Sequence, residues 1–523
     1  MAAERISMKT VLMLASENAS LKNGKVGGVG DVIRDLPRAL ADLGWNTTII
    51  TPSYGFLHLD NPSREIGSVR FPFSGKIEEA IVFEVTPRIA HAGVRNLVVE
   101  HPRIRGTPIY SNDPPGQAFA SDATKYALFC SAIGQYLKTT EMPAVLHLHD
   151  WHTPFLLLLR ELHPQFSHLK DVKTVFTIHN LAIQGNRPLR GSAATVEQWF
   201  PEIFSDSSWM NSWKDPRYTE PNFTPMAAGI RLADRVNTVS PTYAEEIVHP
   251  SNPSIGSIRG EGLEGILQTA KAEGRLFGIL NGCEYPATRI PRRLPFPELC
   301  NVFASEVGSW KKKFPDPVHD QSLERITQLK ERRPSVILTS VTRVVEQKIK
   351  ILHQPTSRRK PVMAEICSLL STVNGIYIVL GTGTPDYEDR MAEMMRRCPN
   401  CLYLKGFSEP IGEVLYANGM LFMMPSSFEP CGIGQMLAMR DGQPCLVHAV
   451  GGLKDTVTEG KNGFTFSGAT LLEQADLCVE GTHRAIKTKL EQPDLWNRIV
   501  QEALESRFTW EKSAREYIDK MYL

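Results

Sequence analysis

Two glycine-rich segments stand at opposite ends of this chain, Lys25-Val26-Gly27-Gly28-Val29-Gly30-Asp31 and Phe428-Glu429-Pro430-Cys431-Gly432, each between an apolar run that reads as a strand and a stretch that reads as a helix. Glycines at the carboxyl end of a strand let the backbone come close to a ligand, and the following helix turns free N–H groups toward it. Two such corners predict two α/β domains sharing one site. The rhythm of the chain agrees. Thr10 to Ser16 is short and apolar, Val32 to Leu43 has helical periodicity, and Trp45 to Thr51 is β-branched before a Pro-Ser-Tyr-Gly turn, which is one βαβ unit. Further apolar runs, 144–148, 173–178 and 235–239, each end in a polar or Gly/Pro corner, the pattern of a buried, doubly wound parallel sheet. The proline-rich segment Tyr285 to Glu298 reads as a connector, and runs at 335–341, 375–380, 401–405, 420–424 and 445–449 restart the pattern. The domains are expected at 1–278 and 279–507, with an amphipathic helix in 508–523, starting near Ser513, completing the first.

Composition narrows the ligand. Lys and Arg number 58 against 57 Asp and Glu, so no global field recruits nucleic acid or an acidic membrane. No apolar run is long enough for a membrane span, and the amino terminus, with Glu4 before the short run Val11 to Ala15, lacks a signal-peptide pattern. Nine cysteines, an odd number in a long chain, fit a reducing compartment, and the reading is cytosolic. Cys398-Pro399-Asn400-Cys401 is a single C-x-x-C and reads as a turn rather than a metal or redox site.

Several corners carry chemistry. The Lys25 to Asp31 cluster fails as a dinucleotide fingerprint, because Ile33 stands where the third glycine belongs, and no Gly-Lys-Ser/Thr makes it a Walker loop. It reads either as a ligand corner or as a tight turn with an exposed lysine. His147, His149 and His152 crowd one strand end, but without a further Asp/His cluster to complete a metal site, and Asp150 with Trp151 suits a sugar better: a carboxylate for hydroxyls beside an aromatic platform. His179-Asn180 follows the strand 174–178 directly, as a ligand-facing pair or as a structural histidine. Arg343 and Lys348 lie just past the strand ending at Val341, where a fork and a point charge clamp a diphosphate or else sit on a solvated helix face.

Taken in order, these segments, with Asn237 to Tyr243, Gly278 to Gly282, Pro425 to Gly432, Gly451 to Asp455 and Phe508-Thr509-Trp510, resemble the motif series of bacterial glycogen synthases and plant starch synthases across nearly the whole chain. The resemblance implies the GT-B fold, two Rossmann-like doubly wound domains around a deep cleft. It implies retaining transfer of glucose from ADP-glucose, or alternatively UDP-glucose, to the non-reducing end of an α-1,4-glucan, glycogen or a maltooligosaccharide, without cofactor or metal. A non-catalytic glucan-binding relative is the rival, but a mere binder has little need to keep Lys25, Arg343, Lys348 and Glu429 together.

By the same resemblance Lys25, Gly27, Gly28 and Asp31 lie near the donor phosphates and acceptor side. Asp150, Trp151, His179 and Asn180 meet the sugar and acceptor from the first domain. Arg343 and Lys348 hold the diphosphate, Glu429 the glucose hydroxyls, Asn281 and Cys431 line the sugar pocket, and Phe407 lies under the base. Gly383, Gly432 and Gly434 complete the substrate-binding set. The chain departs from the family pattern at Cys283-Glu284, at Ile349-Lys350, at Gly434 in place of threonine, and at Val447 to Val450 in place of a basic stretch.

Overall fold

The computed structural model describes residues 9–523 except 206–207, 211–214, 216 and 287; the amino-terminal segment with Glu4 lies outside the described residues. Strands β1 (Thr10–Leu14), β2 (Asn46–Pro52), β3 (Ser63–Phe73), β4 (Lys76–Val85), β5 (Val94–Glu100), β6 (Val145–His149) and β7 (Lys173–Ile178) belong to the first sheet. A two-residue pair, β8 (Arg187–Pro188) and β9 (Asn222–Phe223), stands apart, and β10 (Arg235–Thr238) and β11 (Leu276–Gly278) finish the sheet in the order β11-β10-β7-β6-β1-β2-β5-β4-β3. The second sheet holds β12 (Val336–Val341), β13 (Gly375–Leu380), β14 (Cys401–Leu404), β15 (Leu421–Met424), β16 (Cys445–His448) and β17 (Gly463–Phe466), ordered β14-β13-β12-β15-β16-β17 and parallel throughout.

The apolar runs became central strands because both faces are covered. Every residue of β6 and of β13 is buried. The first sheet is not wholly parallel as expected. Its far edge is an antiparallel ribbon in which β4 pairs with both β3 and β5. Ser74 (φ 53°) and Gly75 (φ 68°) form its two-residue loop, and positive φ at both positions matches the right-handed twist of the strands they join.

Two helix boundaries also differ. The first helix runs over Gly28–Asp42, four residues earlier than its periodicity indicates, because the glycines themselves form its opening turn. The connector ends at Phe296, where helix Phe296–Lys313 begins, since Pro297 in a first turn forfeits no intrahelical bond.

The chain returns to the first sheet at its end. Helix Trp510–Tyr517 continues through a π-helical turn to Tyr522, starting three residues before the expected Ser513. It closes a buried polar chain across three strands. His147 on β6 shares one hydrogen bond with Tyr522 Oη (2.8 Å) and one with Thr177 Oγ1 (2.7 Å) on β7. Thr177 Oγ1 donates to Asn237 Oδ1 (2.6 Å) on β10, and Asn237 Nδ2 donates to Tyr517 Oη (2.9 Å). Both ring nitrogens of His147 are thereby occupied inside the fold, which accounts for one of the three clustered histidines. We expect Tyr522→Phe, which strips His147 of a partner in a fully buried site, to cost about 1–3 kcal/mol, read as a lower denaturation midpoint for the first unit; an unchanged midpoint contradicts the role given to this network.

Candidate active site

Open parallel sheets bind ligands at the carboxyl ends of the two neighbouring strands whose connections leave in opposite directions. In the first sheet these are β1 and β6, and in the second β12 and β15. The loop after β1 holds Lys25 to Gly27 and leads into the helix opened by Gly28, the residue after β6 is Asp150, Arg343 and Lys348 follow β12, and Pro425 to Glu429 follow β15. Both glycine corners therefore sit at switch points.

At the first corner a residue that the sequence reading passed over fixes the loop. Glu17 is buried, and its Oε2 accepts hydrogen bonds from the N–H groups of Val26 and Gly27, both at 2.6 Å. Its Oε1 accepts from Tyr110 Oη at 2.6 Å. This explains two glycines. A Cβ on Gly27 would stand 3.3 Å from Glu17 Oε1, and one on Gly30 would stand 3.1 Å from Oε2, whereas a Cβ on Gly28 would meet nothing within 4 Å. Gly28 leaves open space where the others leave room for the carboxylate. Lys25 Nζ lies 2.8 Å from Asp31 Oδ1, and Arg34 reaches the same oxygen at 3.2 Å.

Asp150 turns the chain at the end of β6 with φ of 54°, a left-handed conformation that costs a non-glycine residue energy and clusters at functional sites. Its Oδ1 accepts from the His179 N–H at 2.7 Å, so two of the expected residues are held together. Burial pushes the Asp150 carboxyl up to about 7 in spite of main-chain N–H bonds from His179 and Asn180. Burial likewise brings His179 down to about 3, leaving a neutral ring whose Nε2 meets His149 Nδ1 at 3.0 Å. Asn180 folds into a turn, its Oδ1 accepting from Ala182 N–H at 3.1 Å.

Trp151 corrects the expectation of a sugar platform. The left-handed turn at Asp150 sends the next side chain inward, where Trp151 is only 2% exposed and packs edge-on to Phe119 and Tyr126 and against Gly185. No ring face is left for a ligand.

In the second sheet Lys348 and Glu429 are joined as an ion pair across the β12 and β15 ends, and Ser426 Oγ adds a bond to Glu429 Oε2 at 3.0 Å. Glu429 is buried, and Arg343, two residues past β12, is exposed. Gly383 is forced by the main chain: a Cβ there would lie 1.8 Å from Val344 O. Gly432, with φ of 76°, lies against Gln435, and Gly434 opens a helix of only seven residues, Gly434–Arg440. Phe407 is 76% exposed, a free ring rather than a core residue.

The corners of the two sheets touch. Ser240 Oγ, just past β10, donates to Pro430 O at 2.6 Å, placing the Glu429-Pro430-Cys431 segment against the first sheet. Cys431 is buried in the same cluster as Cys283, and burial pushes its thiol well above the ordinary range in spite of a bond from the Asn281 main chain. Asn281 is 5% exposed, and its Oδ1 has no hydrogen-bond partner among the described residues, a buried acceptor free for a ligand. Thr242 binds Asp455 through N (2.9 Å) and Oγ1 (2.7 Å), and Glu246 Oε1 accepts from Gly451 N–H at 3.0 Å. None of Ser240, Thr242 and Glu246 was singled out from sequence. The helix-start pattern Ser240-Pro241 facing the glycines at 451–452 was the available signal.

Glu17→Ala should release the loop, detected as faster amide exchange at Val26 and Gly27; unchanged exchange there contradicts the anchoring. The Asp150 carboxyl gives a second expectation. Folding raises its pKa from 3.8 to about 7, so between those values the native state holds a proton that the unfolded state has lost, and stability falls as pH rises through that window. Wild type should lose stability relative to Asp150→Asn from about pH 4 to about pH 7 and run parallel to it above; a constant difference in denaturant titrations at pH 5, 6 and 8 contradicts the shift.

Comparison with known proteins gives the family and the fold. Residues 10–269 match the family model "Starch synthase catalytic domain", and residues 362–480 match "Glycosyl transferases group 1". Glycogen synthase 1 of Synechocystis is 30% identical across 98% of this chain and 94% of its own, and glycogen synthase of Desulfitobacterium hafniense is 32% identical across 95% of both. In three dimensions the catalytic domain of starch synthase IV from Arabidopsis thaliana, solved with ADP and acarbose, superposes with a TM-score of 0.73 at 24% identity, covering 98% of this chain and 99% of that one. The architecture is the GT-B fold with two Rossmann-like units. The chain belongs to the glycogen and starch synthase family of glycosyltransferases.

Proposed function

We propose that this glycogen or starch synthase transfers glucose from ADP-glucose to the 4-hydroxyl at the non-reducing end of an α-1,4-glucan, with retention of configuration. The observation that carries the reading is the Lys348–Glu429 pair bridging the two strand ends of the second switch point, with the exposed Arg343 on the same β12 corner. In this reading Arg343 and Lys348 take the donor diphosphate, Glu429 the glucose hydroxyls, and the base lies on Phe407. Asn281, Cys431, Gly383, Gly432 and Gly434 surround donor and sugar, and Lys25, Gly27, Gly28 and Asp31 close the phosphate side from the first sheet. Asp150, His179 and Asn180 meet the reacting sugar and acceptor. The same reading divides the chain at 278/279, with 508–523 returning to the first unit, and the separation into two sheets supports it. The nine free thiols support placement in the cytosol.

The chemistry follows from charge. Departure of the diphosphate leaves an oxocarbenium-like sugar and builds negative charge on the leaving oxygen, which in this reading the cations Arg343 and Lys348 neutralise. Glu429 is already committed to Lys348 and Ser426, so it serves as a hydroxyl acceptor and not as a nucleophile. The acceptor then attacks from the face the diphosphate has left.

The test is transfer of labelled glucose from ADP-glucose and from UDP-glucose to glycogen. We expect elongation with ADP-glucose as the better donor, and a fall of about 100-fold or more in kcat for Glu429→Gln. Elongation with UDP-glucose alone overturns the donor, and diphosphate release without elongation overturns the acceptor.

A further inference from the structure

Three imidazoles stand in a row across the ends of β6 and β7. His147 and His149 share a face of β6 with ring centroids 4.1 Å apart, and His179 continues the row 5.2 Å beyond His149. All three rings are neutral: burial brings His147 and His179 down to about 3 and holds His149 well below the ordinary range. A neutral ring carries one proton on one of its two nitrogens, and its hydrogen-bond partners decide which.

For His147 the partners decide fully. Thr177 Oγ1 has a single proton and gives it to Asn237 Oδ1, so it accepts from His147 Nε2–H, and His147 Nδ1 is left to accept from the Tyr522 hydroxyl. His149 is decided by what it lacks. Its Nε2 is buried with no hydrogen-bond partner among the described residues, while its Nδ1 lies 3.0 Å from His179 Nε2. One proton joins those two nitrogens. If it belonged to His179, His149 would carry its own proton on Nε2, a buried N–H with nothing to accept it. If it belongs to His149, Nε2 is only a bare lone pair. Orphaned buried donors are rarer than under-satisfied acceptors, which selects the second arrangement.

The consequence falls on His179. Its Nε2 accepts from His149, so its own proton sits on Nδ1, a nitrogen that makes no hydrogen bond among the described residues. His147 and His149 are buried, whereas His179 is the half-buried end of the row and the member that reaches the crevice corner with Asp150.

We propose that His149 is a positioning residue for the transfer: by donating from Nδ1 it holds His179 as the Nδ1–H tautomer, so that the corner offers the sugar a neutral N–H donor instead of an acceptor. The proposal rests on the reading that His179 meets the reacting sugar. A sugar hydroxyl that accepts from Nδ1–H keeps its own proton for a second partner, which fixes its direction.

The experiment reads the tautomer first and its effect on transfer second. In the full chain carrying isotope-labelled histidine, long-range proton–nitrogen correlations distinguish the protonated from the bare nitrogen of each neutral ring, and His179→Asn identifies the His179 signals. We expect His179 to be protonated on Nδ1; a wild-type ring protonated on Nε2 overturns the proposal whatever the activity. Rates then test the role. Asn places an amide N–H where Nδ1 stood and Gln places it near Nε2, so the two variants bury the same group at different positions. His149→Gln should lower kcat/KM for ADP-glucose about tenfold or more, and His149→Asn should stay within about threefold of wild type. In a His179→Ala background His149→Gln should cost almost nothing further, because the group it positions is gone. Equal losses in His149→Asn and His149→Gln, or the full loss repeated in the His179→Ala background, overturn the positioning role. The expected tautomer in a wild type that elongates no glucan upholds the bond between the rings and removes the transferase reading instead.

Discussion

The structure depends on a constraint of parallel sheets. Where two neighbouring strands send their connections to opposite sides, a crevice opens at their carboxyl ends that no packed helix fills. This chain has one such crevice between β1 and β6 and another between β12 and β15, and residues of the candidate site cluster at these two places. What remains is to keep the loops at these crevices rigid. At the first, a buried carboxylate does it by accepting two main-chain N–H bonds; at the second, an ion pair spans the gap. Rigid polar groups aimed into a crevice need little reorganisation when charge develops there, which is the physical content of electrostatic catalysis.

The crevices act together only if the two units are held in register. Among the described residues the contacts that do so combine polar pairs, Ser240 to Pro430, Thr242 to Asp455, Glu246 to Gly451 and Gln474 to Ile255, with Cys431 and Met436 buried in the first unit's apolar cluster. The terminal helix ties the chain back more firmly, with Tyr517 and Tyr522 buried in the polar network of β6, β7 and β10.

Much of this was legible in the sequence, for a definite reason. Strands buried on both faces are written as uninterrupted apolar runs, so β7 and β13 have the limits their residues announce, and the corners after β6, β7 and β12 hold Asp150, His179, Arg343 and Lys348. What stayed hidden depends on contacts distant in sequence. A glycine run reads as loop, yet Gly28 to Gly30 are helical, following directly on Val26 and Gly27, whose N–H groups are held by Glu17. Trp151 beside Asp150 reads as a platform, but its direction is set by a left-handed turn that no periodicity encodes. The β3–β4 ribbon did carry a local signal, the Ser74-Gly75 pair between alternating strands.

The central claim is that the two switch points form a single site, and a structure of the protein soaked with ADP and a maltooligosaccharide tests it most directly. The account predicts the diphosphate between Arg343 and Lys348 and the non-reducing sugar at the Asp150–His179 corner, with Glu429 facing the space between them. ADP bound elsewhere on the second unit, or an oligosaccharide bound without approaching Asp150, would contradict it.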